Sequence, residues 1–126
     1  MPRPGFRWDR IFIAVVITEA IPILLLIAMV ALIGPREQAA AQAYAERLGQ
    51  WVGPLGGAIT CFVAAWWVAR SLTSGRIRHG FMVGLLAALV DIAILIASGA
   101  TFQWVFVVSN LGRVVAGMLG AAVYMK

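Results

Sequence analysis

Apolar residues fall along this chain in four long runs, at about residues 11–33, 51–70, 80–99 and 103–125, with polar stretches between them. Each run is long enough to cross the ~30 Å hydrocarbon core of a bilayer as a helix rising 1.5 Å per residue. The pattern predicts an all-α integral membrane protein, a bundle of four transmembrane helices in a single domain. Gly34 and Pro35 end the first run, and the segment from Arg36 to Gln50 is rich in alanine and long polar side chains. Such residues favour helix, so a short helix over about 36–48 is expected outside the membrane, with Tyr44 and Leu48 resting on its surface.

Two prolines fall inside the apolar runs. Pro22 removes the backbone bond to the Thr18 carbonyl and predicts a kink in the first helix. Pro54 falls in the first turn of the second helix, where a missing N–H costs little. That second helix carries small residues at fourfold spacing, Gly53, Gly57, Cys61, Ala65 and Ala69. Because lipid tails are as apolar as leucine, helices in membranes associate by close backbone approach, and such a row predicts a central helix.

The last two runs each carry one ionisable residue near the middle, Asp91 and Arg113, and Phe102 is equidistant from them in sequence. An antiparallel hairpin turning near Phe102 brings the two charges to one level, roughly 16 to 18 Å deep. Gly99 suits the end of the third helix and Thr101 the cap of the fourth. At 100° per residue, Arg113 shares its face with Ser109, Asn110, Ala116, Gly117 and Gly120, whereas Leu111, Val114, Val115 and Met118 lie behind it. Asp91 shares a face with Gly80, Gly84, Ala87, Ala88 and Ser98, and Met82, Leu86, Leu89 and Ile96 lie opposite. Both charges are therefore expected to point into the bundle and the large apolar residues toward lipid.

A lone Asp or Arg at the centre of a spanning helix costs ~2.5 to 3.5 kcal/mol on insertion scales, so the pair is expected to form, helped by hydrogen bonds from Asn110 or Ser109. Glu19 in the first helix, about 12 Å deep, leaves the trio at net −1 when all three are ionised. Two readings stay open for this polar set. It is either an inert clamp that holds helix register or a place where protons, ions or polar substrate pass.

Composition narrows the class further: 63% of the 126 residues are hydrophobic and only 12% charged, with a mean hydropathy of +0.95. No length remains for a water-soluble catalytic module. The net charge of +5 does not form a nucleic-acid patch, since the basic residues flank the apolar runs. Counted by topology, Arg3, Arg7, Arg10, Arg70, Arg76, Arg78 and Lys126 share one side, and Arg36 and Arg47 the other. By the positive-inside bias both termini are cytoplasmic, and a bacterial inner (cytoplasmic) membrane is the expected location. Trp8, Trp66, Trp67 and Tyr124 fall on the same side as interfacial aromatics, and Trp51 and Trp104 on the other. A cleaved signal peptide, with Ala41 to Ala43 as its site, competes for the first run, but that run exceeds the ~7 to 15 residue core of such signals.

The chemistry available is limited. One cysteine, Cys61, excludes an internal disulfide and a cysteine metal cluster, and His79 is the only histidine, expected at headgroup depth in a structural or solvated role. No metal site, cofactor or catalytic constellation is expected, and the protein is read as non-enzymatic. The leading expectation is a bundle that oligomerises or docks on a larger membrane complex through surplus small residues, notably the row Gly112, Ala116 and Gly120. The alternative is a small proton- or ion-coupled transporter or channel using Glu19, Asp91 and Arg113. A short four-span chain with one glutamate in the run Ala14 to Ala20 resembles the small multidrug resistance transporters, and that resemblance implies proton exchange against cationic drugs at Glu19. It covers the first helix and overall size. The long connector, Asp91 and Arg113 depart from that family's pattern.

Overall fold

The structure, a computed structural model, describes residues 5–123. Arg3, Tyr124, Met125 and Lys126, which entered the reading of orientation and of the last span, lie outside the described residues. Five α-helices and one π turn make up the described chain, with no strand among them: α1 Trp8–Ile33, α2 Gln38–Trp51, the π turn Val52–Gly56, α3 Gly57–Ala69, α4 Arg76–Ala97 and α5 Trp104–Ala122. Four stretches are long and apolar enough to cross a membrane, and one of them, Gln38–Ala69, runs unbroken from α2 through α3. The connector and second span are therefore one helical rod. At 1.5 Å per residue its 32 residues extend about 48 Å, well beyond a ~30 Å core, so the polar α2 end projects past the apolar belt.

Proline explains the π turn. Within a continuous helix Pro54 is an interior residue, where its ring would clash with the carbonyl of Gln50 and no N–H is available. Widening the backbone over Val52–Gly56 relieves the clash, and Thr60 Oγ1 donates to the Gly56 carbonyl at 2.5 Å. Pro22 likewise sits inside a helix that continues to Ile33, and its ring packs against the π turn at Gly56. The α2 start is capped by the Glu37 carboxylate, which accepts from the N–H groups of Ala39 and Ala40.

Helix α3 packs against α1, α4 and α5, the central place its small residues predict, and α4 and α5 share the most extensive contact. The core is built from small and β-branched side chains, Ile11, Ala14, Val15, Cys61, Ala64, Ala65, Val68, Val83 and Ala116. Backbone approach is correspondingly tight. A Cβ placed on Gly117 would fall on the carbonyl oxygen of Gly80, and one on Gly120 would fall on that of Phe62. Met82 and Leu86, expected to face lipid, pack against this core instead, because α1 and α3 cover the side of α4 that a hairpin alone would leave bare. Leu89 and Ile96 are exposed, as are Leu111, Val115 and Met118 on the back of α5. Ser98 is exposed beyond the end of α4 rather than on the buried face of Asp91.

The hairpin turn is longer than the pattern implies. Gly99 has φ +72°, and the N–H groups of Gly99 and Ala100 bond back to the carbonyls of Ile96 and Leu95, closing α4 with a Schellman motif. The chain then stays irregular to Gln103, whose extended backbone precedes α5. Thr101 is therefore not the cap of the fourth helix, which starts three residues later at Trp104. At the opposite end α4 begins at Arg76, four residues before the expected start, so His79 lies within the helix and is buried. The Arg7 backbone N–H donates to His79 Nε2 at 3.0 Å, and Nδ1 bonds the Gly75 carbonyl at 2.8 Å. His79 thus ties the chain's first described residues to α4, a structural role.

Candidate functional site

Arg113 projects from the middle of α5 into the bundle with 3% of its side chain exposed. Three groups surround its guanidinium. Nε donates to Glu19 Oε1 of α1 at 3.0 Å, Nη1 to Ser109 Oγ one turn earlier on α5 at 2.6 Å, and Nη2 lies 3.5 Å from Asp91 Oδ1 of α4. Three helices thereby converge on one cation. Room for it comes from α3: a Cβ on Gly57 would stand 2.6 Å from Arg113 Cζ, so a larger residue there would push the guanidinium from its present place. Gly84 serves the other side, lying against the Arg113 carbonyl and Val114, and Cys61 Sγ donates to the same carbonyl at 3.2 Å.

The two carboxylates are not equivalent. Glu19 is hydrogen-bonded and 8% exposed, whereas Asp91 makes the longer ion pair and is 19% exposed. The pairing expected first, Asp91 with Arg113, is therefore the looser of the two contacts. Helical periodicity could not show this, because the rotation of α1 about its own axis relative to α5 is set by packing on α3.

Asn110 does not contribute to the centre. Its Nδ2 donates to the Phe106 carbonyl of its own helix at 2.8 Å, and its buried Oδ1 has no partner. One residue away from Ser109 is a 100° rotation, which turns Asn110 toward the outer groove between α4 and α5. Among the small residues singled out for packing, Gly57, Cys61, Gly84, Ala116, Gly117 and Gly120 all lie buried in helix contacts. Gly53 and Gly112 do not: a Cβ on either would meet nothing within 4 Å. Gly53 faces a cavity at the π turn, and Gly112 lies 100° around α5 from Arg113, off the contact at Gly57.

That cavity, of about 410 Å³, leads from the α2 end of the bundle to the centre. Exposed Glu46 and Gln50 of α2 and Thr101 and Gln103 of the hairpin turn form its mouth; Gly53, Asp91 and Ser109 line it deeper in. A second space of about 100 Å³ adjoins the same residues, Gly53 and Asp91, and touches Glu19, Pro22 and Arg113. The π turn thus forms part of the wall, a frequent position for such turns. The mouth residues Glu46, Gln50, Thr101 and Gln103 were not singled out from the sequence, although polar residues on the connector helix and the hairpin turn, both at one end of the bundle, were a usable signal. Among the described residues no group of His, Cys, Asp and Glu is arranged to hold a metal ion.

Comparison with known proteins matches the chain to no family model, no curated protein and no solved structure. The arrangement of side chains is therefore the basis for a functional reading. Chemically, a carboxylate at the end of a cavity with a polar mouth, backed by a second carboxylate and one guanidinium, can accept a proton or a cation and exchange partners with Arg113.

Proposed function

We propose that this chain is a small non-enzymatic proton- or ion-coupled transporter or channel of a bacterial cytoplasmic membrane, working through Glu19, Asp91 and Arg113. The observation that carries the reading is the cavity ending on Asp91. A clamp needs no open path to one of its charges, and a path through polar mouth residues supplies protons or ions to an otherwise buried trio. With the termini cytoplasmic, as the arginine distribution favours, the mouth opens on the outer side. In vesicles containing a pH-sensitive dye, the purified chain is expected to relax an imposed pH gradient, and Glu19→Gln to slow that relaxation at least tenfold. Equal rates with and without the protein, or an unaffected Glu19→Gln variant, reject the reading.

A second reading, assembly with a second copy or a larger membrane complex, is favoured by one residue. Gly112 is a small residue on α5 with open space before it, flanked by exposed Leu111 and Val115. Ala116 and Gly120 of the same row, and Gly57, Cys61, Ala65 and Ala69 of the α3 row, are already filled within one chain. Mass measurement from native membranes is expected to show a dimer or larger assembly that Gly112→Leu converts to monomer without lowering the melting temperature. A monomer in both cases removes this reading.

A further inference from the structure

We infer that the outer seam between α1 and α3 binds an anionic two-chain phospholipid, its phosphate headgroup on Arg10 and Arg70. Charge at this end of the bundle points to an anion. The described residues there include the arginines Arg7, Arg10, Arg70, Arg76 and Arg78 and one carboxylate, Asp9, which Arg7 already holds at 3.1 Å. The other acids are placed elsewhere, Glu19 and Asp91 at the centre, Glu37 at the start of α2 and Glu46 at the cavity mouth. Among the described residues neither Arg10 nor Arg70 has a carboxylate partner.

Placement selects these two arginines. Arg10 Cζ stands 4.9 Å from the ring centre of Trp67 and Arg70 Cζ 5.8 Å from that of Trp66, so both cations rest on indoles adjacent in α3. A ring face attracts a guanidinium without using its N–H donors. The donors remain for an oxyanion, and phosphate suits their planar fork. The neighbours are engaged differently: Arg76 Nε donates to the Ala69 carbonyl at 3.3 Å, and Arg78 stands over Phe6, which packs on His79 of α4, away from the seam.

The apolar surface below the arginines selects a lipid over a soluble phosphate. On α1 the exposed Ile13, Ile17 and Ile21 follow Arg10 at intervals of three and four residues, on one face of the helix. On α3 the exposed Ile59 and Val63 precede Trp66 and Arg70 in the same way. Arg10 meets Trp67 and Pro22 meets Gly56, so the two helices run antiparallel in contact and the two lanes descend from one basic head. From Arg10 to Ile21, and from Arg70 to Ile59, each lane is about 16 Å long, one leaflet's half of the ~30 Å hydrocarbon core. That is the outline of one headgroup with two acyl chains. A zwitterionic headgroup would bring its own ammonium toward the arginines, so a headgroup charged only by its phosphate is preferred.

The test uses the full chain in non-ionic detergent, incubated with phosphatidylglycerol or with phosphatidylcholine of the same acyl chains, with bound lipid counted by native mass spectrometry. Phosphatidylglycerol is expected to be retained about tenfold more than phosphatidylcholine at equal concentration. Arg10→Gln and Arg70→Gln are each expected to lower its retention about fivefold, the change that corresponds to one arginine's attraction to an anionic headgroup. Arg78→Gln removes the same charge from the same end, away from the seam, and is expected to leave retention nearly unchanged. The two seam variants lie on different helices, so one decides the matter if the other misfolds. Free glycerol phosphate in large excess is expected not to displace the lipid. Equal retention of the two lipids, or retention unaffected by the seam variants, overturns the assignment. Equal losses in all three variants do so in favour of net charge alone, and displacement by glycerol phosphate in favour of a soluble anion.

Discussion

Arg113→Met is expected to destabilise the bundle by about 3–5 kcal/mol, the range seen when one partner of a buried ion pair is removed. The loss leaves Glu19 and Asp91 facing each other across the space of the guanidinium, and Ser109 without its donor. Thermal unfolding in nanodiscs measures it. Combining Arg113→Met with Glu19→Met and Asp91→Val is expected to recover most of the stability, since well-packed apolar side chains of similar volume often replace a buried charged set without loss. Such a neutral variant is expected to be inactive in the vesicle assay. A stable and fully active triple variant would show that the charges serve neither stability nor function. The geometry also predicts that exchanging the hairpin charges, Asp91→Arg with Arg113→Asp, does not restore the fold. Glu19 would then sit opposite a second carboxylate where it now has its 3.0 Å bond.

Gly117→Val is expected to be the next most damaging single change, costing about 3 kcal/mol, the upper part of the usual overpacking range. Its Cβ would fall on the Gly80 carbonyl oxygen, a backbone atom that no rotamer change can move aside. Helix α4 would have to separate from α5 along a stretch that includes Gly84, one turn from Gly80 and in contact with the Arg113 carbonyl. The consequence reaches the centre: the Asp91–Arg113 distance spans the same helix pair, so relaxation of a pH gradient in vesicles should slow together with the loss of stability. Gly112→Ala provides the contrast on the same helix. It meets open space and relieves the backbone entropy of glycine, so melting is expected to stay level or rise, by up to about 1 kcal/mol in stability. Equal losses at positions 112 and 117 would contradict the packing described here.

How far the sequence anticipates the structure differs from element to element. The level of Asp91 and Arg113 follows from their equal spacing about Phe102, and a six-residue irregular stretch in place of a shorter loop does not disturb it, since both helices shorten together. Boundaries shift where tertiary contacts outweigh local signals. His79 is drawn into α4 by the Arg7 N–H and the Gly75 carbonyl, and Pro54 is carried inside a continuous rod because a π turn absorbs the clash. Asn110 and Ser109 are adjacent in sequence and polar alike, yet only Ser109 reaches the guanidinium. A 100° step around a helix separates a ligand of the centre from a bystander, and the periodicity of one helix cannot say which side its neighbours will occupy.

The sequence alone therefore determined that four stretches can span a membrane, that the last two pair antiparallel with opposite charges at one level, and that small residues line the contact faces. These properties depend on run length and on the 3.6-residue period, both local to each segment. Only the tertiary structure decided that Glu19 holds Arg113 more closely than Asp91 does, that Gly57 makes room for the guanidinium, and that a cavity leads from the α2 end to Asp91. Those features depend on how α1, α3 and α4 are rotated and spaced around α5. Close backbone packing at Gly80, Gly117 and Gly120 sets that arrangement, and it has no counterpart in the pattern of any single helix.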